Sequence, residues 1–383
     1  MRFTPLVNLM FKMQQSALAK GEPQQTIGLF GAPGIGKTST GRDLANMLTT
    51  AVRAKNPEAP AALCKVLDLS SMLPEDLLGL PFRHGESTSY CPHQWLLDLC
   101  KPDAYGVLVL DDLPAAAPAI QVAARQISLE RRVHDFKLAP GVFVVVTGNR
   151  REDKSAASTL PAHFRNSILM LDCEIELEEW CKWYGAQSNL DPIVPAFLRF
   201  KQERLSMTPH DADKRGAFAT PRTWSMLGRQ FQVVSAADAT FEVASGLVGE
   251  GVATEFAAFV KIRAQLVDPE LVFENPENAL PRVEVLNDPS KLVAMATALG
   301  EIAAKRSKHG KGKDKETAPL KLLKALAWTT RDNREYCGVG VSTFVANQGS
   351  IPDLVKVARA NRTDPVIGNL LSFLKTTLLE GNA

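Results

Sequence analysis

A stretch of nine residues near the N-terminus has the composition and spacing of a phosphate-binding loop. The pattern G-x-x-x-x-G-K-[ST] is matched by residues 31–38, and the candidate loop consists of Gly31, Ala32, Pro33, Gly34, Ile35, Gly36, Lys37, Thr38 and Ser39. Glycines at these positions allow backbone N–H groups to converge on phosphate oxygens at a helix N-terminus. We expect Lys37 to reach the β- and γ-phosphates of a bound nucleotide and the hydroxyl of Thr38 to ligate Mg²⁺.

Two carboxylates follow a second apolar run. Residues 107–110 are Val-Leu-Val-Leu, and Asp111 and Asp112 come directly after them. The carboxyl ends of parallel strands face the ligand in sheets of this kind. Asp111 is therefore predicted to hold Mg²⁺ and Asp112 to orient or deprotonate the attacking water. The alternative is a pair of turn-forming aspartates at a strand end.

Two later polar residues also have positions that suit nucleotide chemistry. Asn149 follows the apolar run 144–147, and its amide is a candidate for polarising the same water or touching the γ-phosphate, with a plain Gly-Asn turn as the alternative. Arg222 follows Pro221 at a predicted helix start, which is an electrostatically poor place for a cation unless an anion lies nearby.

The elements that must position these residues are an α/β region followed by helices. Apolar strands are predicted at 26–30, 62–69, 106–110, 141–147 and 168–171, separated by stretches long enough for crossovers, which favours a parallel sheet covered on both faces. After residue 174 the pattern becomes helical, with helices predicted at 176–184, 193–203, 223–234, 244–266, 289–305, 320–329 and 353–379.

Composition places the chain among globular proteins of more than one structural unit. It has 383 residues, 45% of them apolar, and a net charge of +2. No apolar run reaches the 18 to 20 residues of a membrane helix, and no signal peptide is apparent. The six cysteines form no CxxC pair, which suits reduced thiols in a cytoplasmic protein. We expect no membrane partner.

One segment departs from this even charge. Residues 305–315 carry six positive charges and one negative charge. A flexible, solvated loop at about 305–316 between two helices is the main prediction, and a contact with nucleic acid or another acidic partner is the alternative.

The ordered set of motifs resembles the MoxR-like branch of the AAA+ ATPases. The resemblance runs from about residue 25 to 275 and is carried by GAPGIGKTS (31–39), PEDLLGLP (74–81), VLVLDDLPAA (107–116), LERRV (129–133), VVVTGNRRED (144–153), LPAHFRNS (160–167), Trp180 and Trp183, and ATPRTW (219–224).

The resemblance implies a P-loop AAA+ core, a five-stranded parallel sheet between helices, at 1–174. An all-α lid at 175–275 and a C-terminal helical region at 276–383 follow, the latter a lid extension or a partner-binding domain. It further implies a homo-oligomeric ring of six subunits that binds ATP between neighbours. Asn149 matches the sensor-1 position and Arg222 the sensor-2 arginine. The segment near 80–82 matches an insertion that often faces the pore of the ring, and Arg131 and Arg132 lie in a second insertion; both hairpins can equally be plain exposed connectors.

The chain departs from the family pattern at two positions. Asp112 stands where AAA+ proteins usually have Glu, which shortens the water-orienting side chain by one methylene. Ser167 stands where the arginine finger that acts on the neighbouring subunit is expected. Arg165 is the leading candidate for that role, with Arg150 or Arg151 as alternatives.

Three functions follow from these residues and this resemblance. The leading one is an ATP-hydrolysing machine that remodels or activates a protein client, with a von Willebrand factor A domain protein as the partner the family suggests. The second is a ring-shaped nucleic-acid motor or loader that uses the basic segment. The third is a slow nucleotide-switched scaffold, favoured by Asp112 and Ser167. The ordered sensor motifs argue against a small-molecule kinase.

Overall fold

The computed structural model describes two units of the chain, Met1–Ile175 and Glu176–Ala383, each with its own apolar core. The described residues are 3–150, 160–187, 190, 191, 193–208, 216–233, 240–264, 266, 268–279, 288–310, 313–330, 334–347, 351–361, 363 and 367.

A parallel sheet forms the centre of the first unit. The strands of the described part of this unit are β1 (Ile27–Phe30), β2 (Leu63–Asp68), β3 (Leu80–His84), β4 (Ser87–Cys91), β5 (Tyr105–Asp111), β6 (Arg132–Val133), β7 (Phe136–Lys137), β8 (Gly141–Gly148) and β9 (Leu169–Asp172). Five of them form the sheet in the order β2-β5-β8-β1-β9, and all their pairings are parallel. These are the five strands predicted from the apolar runs, and their ends agree within one residue.

Helices cover both faces of this sheet. They are α1 (Phe3–Lys20), α2 (Lys37–Arg53), α3 (Pro74–Leu78), α4 (Gln94–Cys100), α5 (Pro118–Glu130) and α6 (Ala162–Arg165). Successive side chains of a strand point to opposite faces. Val107 and Val109 of β5 accordingly pack in one cluster with Leu44 of α2, whereas Leu108 and Leu110 pack in another with Ile120 of α5. Two-sided burial explains why the strands have continuous apolar sequences.

Two antiparallel hairpins extend from this core. Strand β3 pairs with β4 and strand β6 pairs with β7. The rings of Tyr90 in β4 and His134 in the β6–β7 turn are stacked, with centroids 3.9 Å apart and planes inclined by 17°. The stack joins the two hairpins.

In the described part of the second unit, all regular secondary structure is helical. Its α-helices are α7 (Leu177–Gly185), α8 (Ile193–Phe200), α9 (Pro221–Gln230), α10 (Thr240–Val248), α11 (Glu250–Ala264), α12 (Pro269–Glu274), α13 (Pro276–Ala279), α14 (Pro289–His309), α15 (Lys313–Thr329), α16 (Cys337–Ala346) and α17 (Ile351–Ala360). An aromatic cluster of Phe197, Trp224, Phe256 and Phe259 joins α8, α9 and α11.

Several helix predictions differ from the observed elements. Helix α1 was not predicted, and the single helix predicted at 244–266 divides into α10 and α11 at Gly249, where φ is 87°. A positive φ does not continue a right-handed helix, so the chain turns there. The helix predicted at 353–379 is observed as α17 up to Ala360, and residues 368–379 lie outside the described residues.

The basic segment is not the predicted loop in its described residues. Residues 305–309 form the end of α14, and 313–316 form the beginning of α15. Lysine and arginine are good helix formers, and cations in the last turn of α14 offset the negative end of its dipole. Arg306 is also paired with Glu270 and Glu274 and lies 5.1 Å from the ring centroid of Phe273. Local helix propensity and these contacts therefore outweigh charge repulsion.

The six cysteines are free thiols, as predicted, but they do not all lie in the core. Cys173, Cys181 and Cys337 are buried, Cys100 is half-buried, and Cys64 and Cys91 are exposed. Burial raises the pKa of Cys181 to about 12.

The predicted fold class is confirmed: a P-loop α/β core with a five-stranded parallel sheet between helices precedes an all-α region. Among the described helices, none is long and apolar enough to span a membrane.

Candidate active site

The phosphate-binding loop connects the carboxyl end of β1 to the first turn of α2. Gly34 and Gly36 have φ values of 74° and 108°, which lie in the left-handed region that glycine adopts without steric cost. Gly36 is the residue immediately before α2, so the loop leads directly into the first turn of that helix. The backbone N–H groups of a first turn have no partner within the helix. The loop thus has the backbone geometry of an anion cradle.

Lys37 lies at the centre of this cradle with only 8% of its surface exposed. Its Nζ donates hydrogen bonds to the carbonyl oxygens of Gly31 at 2.8 Å and Ala32 at 2.7 Å, and to Oδ1 of Asn149 at 2.9 Å. A buried ammonium is stable only when such oxygens surround it. The contact brings together two residues that are 112 positions apart and that the sequence separately assigned to nucleotide chemistry.

Thr38 and Asp111 form the second contact across the site. The Thr38 hydroxyl donates to Oδ1 of Asp111 at 2.8 Å and lies 3.0 Å from Oδ2. A hydroxyl and a carboxylate are both hard oxygen ligands of the kind Mg²⁺ selects. Because the two groups are within hydrogen-bond distance of each other, both can reach one ion, and the donor set fits the predicted Mg²⁺.

Thr147, a residue absent from the sequence predictions, lies between the two aspartates. Its hydroxyl donates to Oδ1 of Asp111, and its Oγ1 accepts a hydrogen bond from the backbone N–H of Asp112 at 3.3 Å. Asp112 has a φ of 55° and a ψ of 40°, so its backbone is left-handed. The chain therefore turns sharply just after β5, between the two aspartates and the following residues. The Thr147 side chain of β8 holds this turn.

The sheet order explains why these residues meet. Strand β8 lies between β1 and β5, and its last residues pair Gly148 with Phe30 of β1 and Val146 with Leu110 of β5. All three strands run in the same direction, so the cradle, the acidic pair and Asn149 follow from one edge of the sheet. This is the edge at which parallel α/β sheets bind their ligands.

The loop passes close to Cys173, the residue after β9. A Cβ on Gly31 would lie 2.5 Å from the carbonyl oxygen of Cys173, so only glycine fits where the loop passes β9. Burial raises the pKa of the Cys173 thiol to about 11, and the thiol stays neutral at physiological pH. It therefore adds no negative charge beneath a bound phosphate.

The predicted arginines have different surroundings. Arg222 is an exposed residue in the first turn of α9, which contains no acidic residue. Arg165 ends α6, is exposed, and among the described residues makes no hydrogen bond to the cradle. Arg150 directly follows Asn149 and is half-buried, and Arg151 lies outside the described residues.

The two insertions also differ from one another. Arg131 is buried, and its Nη2 donates to the carbonyl oxygens of Ala139 and Val142, so it anchors the β6–β7 hairpin to the sheet. Arg132 is exposed and pairs with Glu130. In the β3–β4 hairpin Leu80 and Phe82 are 58% and 48% exposed.

Searches of protein-family profiles and of curated protein sequences give no match to this chain. Solved structures with a similar fold include a P216G mutant of RuvB from Thermotoga maritima, with 13% identity, a TM-score of 0.36, and coverage of 77% of this chain and 82% of that one. PCH-2 from C. elegans has 15% identity and a TM-score of 0.31, with coverage of 68% and 67%. ORC2 from Aeropyrum pernix has 12% identity and a TM-score of 0.30, with coverage of 96% and 94%.

Proposed function

We propose that this protein is an AAA+ ATPase that hydrolyses Mg-ATP at the edge of the sheet formed by β1, β5 and β8. The observation that carries the proposal is the pair of contacts across the site, Lys37 with Asn149 and Thr38 with Asp111. These contacts place a cation, a neutral amide, a hydroxyl and a carboxylate around one phosphate cradle. Phosphoryl transfer depends on this combination of positioning and electrostatic stabilisation.

Each residue has a defined task in the proposed reaction. A water oxygen bonds to the γ-phosphorus while the bond from that phosphorus to the β–γ bridging oxygen breaks, which yields ADP and phosphate. Asp112 orients this water and accepts its proton, and Asn149 polarises it. Lys37 exchanges its contacts with loop carbonyls for phosphate oxygens. Thr38 and Asp111 would hold Mg²⁺, which would supply positive charge against the phosphates.

We further propose that the protein works as a homo-oligomeric, hexameric ring that remodels or activates a protein client as MoxR-like ATPases do. The ordered motifs from 31–39 to 219–224 support this assignment. In it, residues 175–275 form the lid, Arg222 senses the γ-phosphate, and Arg165 of one subunit completes the site of the next. A von Willebrand factor A domain protein is the proposed partner class.

Asp112→Asn separates nucleotide binding from hydrolysis. The amide keeps the size of the side chain but cannot accept the proton, so turnover should fall by about 100-fold or more. Binding of a fluorescent ATP analogue should persist. Asp135→Asn is the matched control, since Asp135 is an exposed aspartate in the β6–β7 turn, and it should hydrolyse ATP at the wild-type rate.

Two results would contradict the assignment. Hydrolysis by the Asp112→Asn variant at the rate of the Asp135→Asn control would exclude Asp112 as the catalytic carboxylate. Failure of the wild-type protein to bind the ATP analogue would exclude a nucleotide site at this edge.

A further inference from the structure

Thr147 is a buried hydroxyl placed where the proposed catalytic residues meet. It is 1% exposed and is the last residue but one of β8, two residues before Asn149. A threonine at a buried strand position is ordinarily a β-branched packing residue. Here, however, both hydrogen-bonding functions of the side chain are directed to the acidic pair.

The hydroxyl acts on the two aspartates in different ways. Its single proton is donated to Oδ1 of Asp111, which fixes the orientation of that carboxylate. Its oxygen accepts from the N–H of Asp112, which fixes the backbone at a residue with a φ of 55°. A left-handed conformation is uncommon for a residue with a side chain and persists where neighbours hold it. Thr147 therefore sets the direction in which the Asp112 carboxylate leaves the strand.

Asp111 receives a second hydrogen bond, from Thr38, but the two donors are not equivalent. Thr38 belongs to the cradle, and its hydroxyl would also be a ligand of Mg²⁺. Thr147 lies on the strand between β1 and β5, outside the proposed ligand set. It is therefore the donor that orients Asp111 from the sheet.

We infer that Thr147 is a positioning residue for hydrolysis, and this inference rests on the proposed function. It holds the metal-binding carboxylate of Asp111 and the water-orienting carboxylate of Asp112 in register with Asn149, which follows the end of the same strand. It does not touch the nucleotide. Loss of the hydroxyl should thus lower kcat and weaken the Mg²⁺ dependence of binding, while nucleotide affinity without Mg²⁺ stays unchanged.

Thr147→Val tests this inference because valine keeps the shape of the side chain and removes the hydroxyl. Partners that orient metal ligands are typically worth about 10- to 100-fold in metal affinity or activity. We expect a decrease of that size in kcat. We also expect a similar increase in the Mg²⁺ concentration that half-saturates the enhancement of fluorescent ATP-analogue binding. Thr147→Ser, which restores the hydroxyl, should recover most of both quantities.

A matched control lies at the amino end of β1. Thr26 is 2% exposed, and its hydroxyl donates to the carbonyl oxygen of Ser128 at 2.6 Å, away from the acidic pair. Thr26→Val removes an equally buried hydroxyl hydrogen bond, so it reports the general cost of such a loss. It should leave kcat and the Mg²⁺ dependence at wild-type values. Thermal melts of all variants confirm that they are folded.

Distinct results would overturn the inference and the proposed function. An active wild type whose Thr147→Val variant retains both kcat and Mg²⁺ dependence would overturn the inference alone. Equal losses in Thr147→Val and Thr147→Ser, or in Thr147→Val and Thr26→Val, would also overturn it. A wild type that neither binds nor hydrolyses ATP would overturn the proposed function and this inference with it.

Discussion

Lys37 is held in the free protein by the oxygens that a phosphate would replace. Its ammonium contacts two loop carbonyls and the Asn149 amide, and it is almost fully buried. The cation is therefore already positioned before nucleotide arrives, which reduces the entropic cost of ordering a long side chain on binding.

Lys37→Ala should weaken ATP binding strongly. A hydrogen bond to a charged group contributes about 1.5 to 3 kcal/mol, which corresponds to about 10- to 100-fold in affinity. Titration of a fluorescent ATP analogue measures this change. Lys55→Ala removes an exposed lysine just beyond α2 and should bind as the wild type does. Equal affinities for the two variants would contradict the assignment of Lys37.

At the level of single residues, the sequence identifies candidates that lie within a motif but not a residue whose place depends on strand pairing. The pattern of residues 31–38 and the acidic pair could be read directly. Thr147 was missed because its sequence context, a β-branched residue in an apolar run, is that of an ordinary strand. Only the parallel pairing of β8 with β5 puts its hydroxyl beside Asp111.

Helix α9 is the element that carries the proposed sensor. Thr220 caps its N-terminus by accepting from the N–H of Thr223, and Pro221 occupies its first turn. These residues define the helix start without help from Arg222, whose positive charge opposes the helix dipole. Its position is therefore better explained by an anionic ligand than by helix stability.

Arg222→Ala should slow hydrolysis without removing nucleotide. We expect a decrease in kcat of about tenfold, within the usual range of coupling between sites. Steady-state hydrolysis and analogue binding, measured side by side, test this. Arg229→Ala, which removes an exposed arginine from the last turn of the same helix, is the control. The same rate in both variants would remove Arg222 from the mechanism.

The packing of α9 can be tested independently of activity. A Cβ on Gly228 would lie 1.8 Å from Oη of Tyr184, which donates to the carbonyl oxygen of Asp191. Gly228→Ala should therefore destabilise the second unit by about 1 to 3 kcal/mol. Among the described residues, no atom lies within 4 Å of a Cβ on Gly246 in α10, so Gly246→Ala should be neutral or stabilising by about 0.5 to 1 kcal/mol. Urea unfolding distinguishes them, and a stable Gly228→Ala variant would contradict the packing.

Elements were predictable where one strong pattern decided them. The five sheet strands were predictable because two-sided burial gives continuous apolar runs. Helix α1 was missed although its buried residues Leu6, Val7, Met10 and Gln14 have helical spacing. The charge pattern of the basic segment predicts a loop, but the high helix propensity of lysine and arginine prevails in the described residues.

Within one subunit, Arg165 makes no hydrogen bond to the proposed site in the described first unit, so the site lacks that cation. Ser167 occupies the expected finger position, and Arg165 is exposed at the end of α6. A neighbouring subunit can present such an arginine, and its contribution is about 10³- to 10⁵-fold in rate where it operates. Activity should therefore depend on assembly.

The most direct measurement is steady-state ATP hydrolysis per subunit across a wide range of protein concentration, with Lys37→Ala as the blank. We expect a specific rate that exceeds the blank, rises with concentration and then saturates as subunits complete one another's sites. A measurable rate that is independent of concentration, together with a monomeric mass at every concentration, would contradict the shared site. No rate above the Lys37→Ala blank at any concentration would contradict the proposal that this chain hydrolyses ATP.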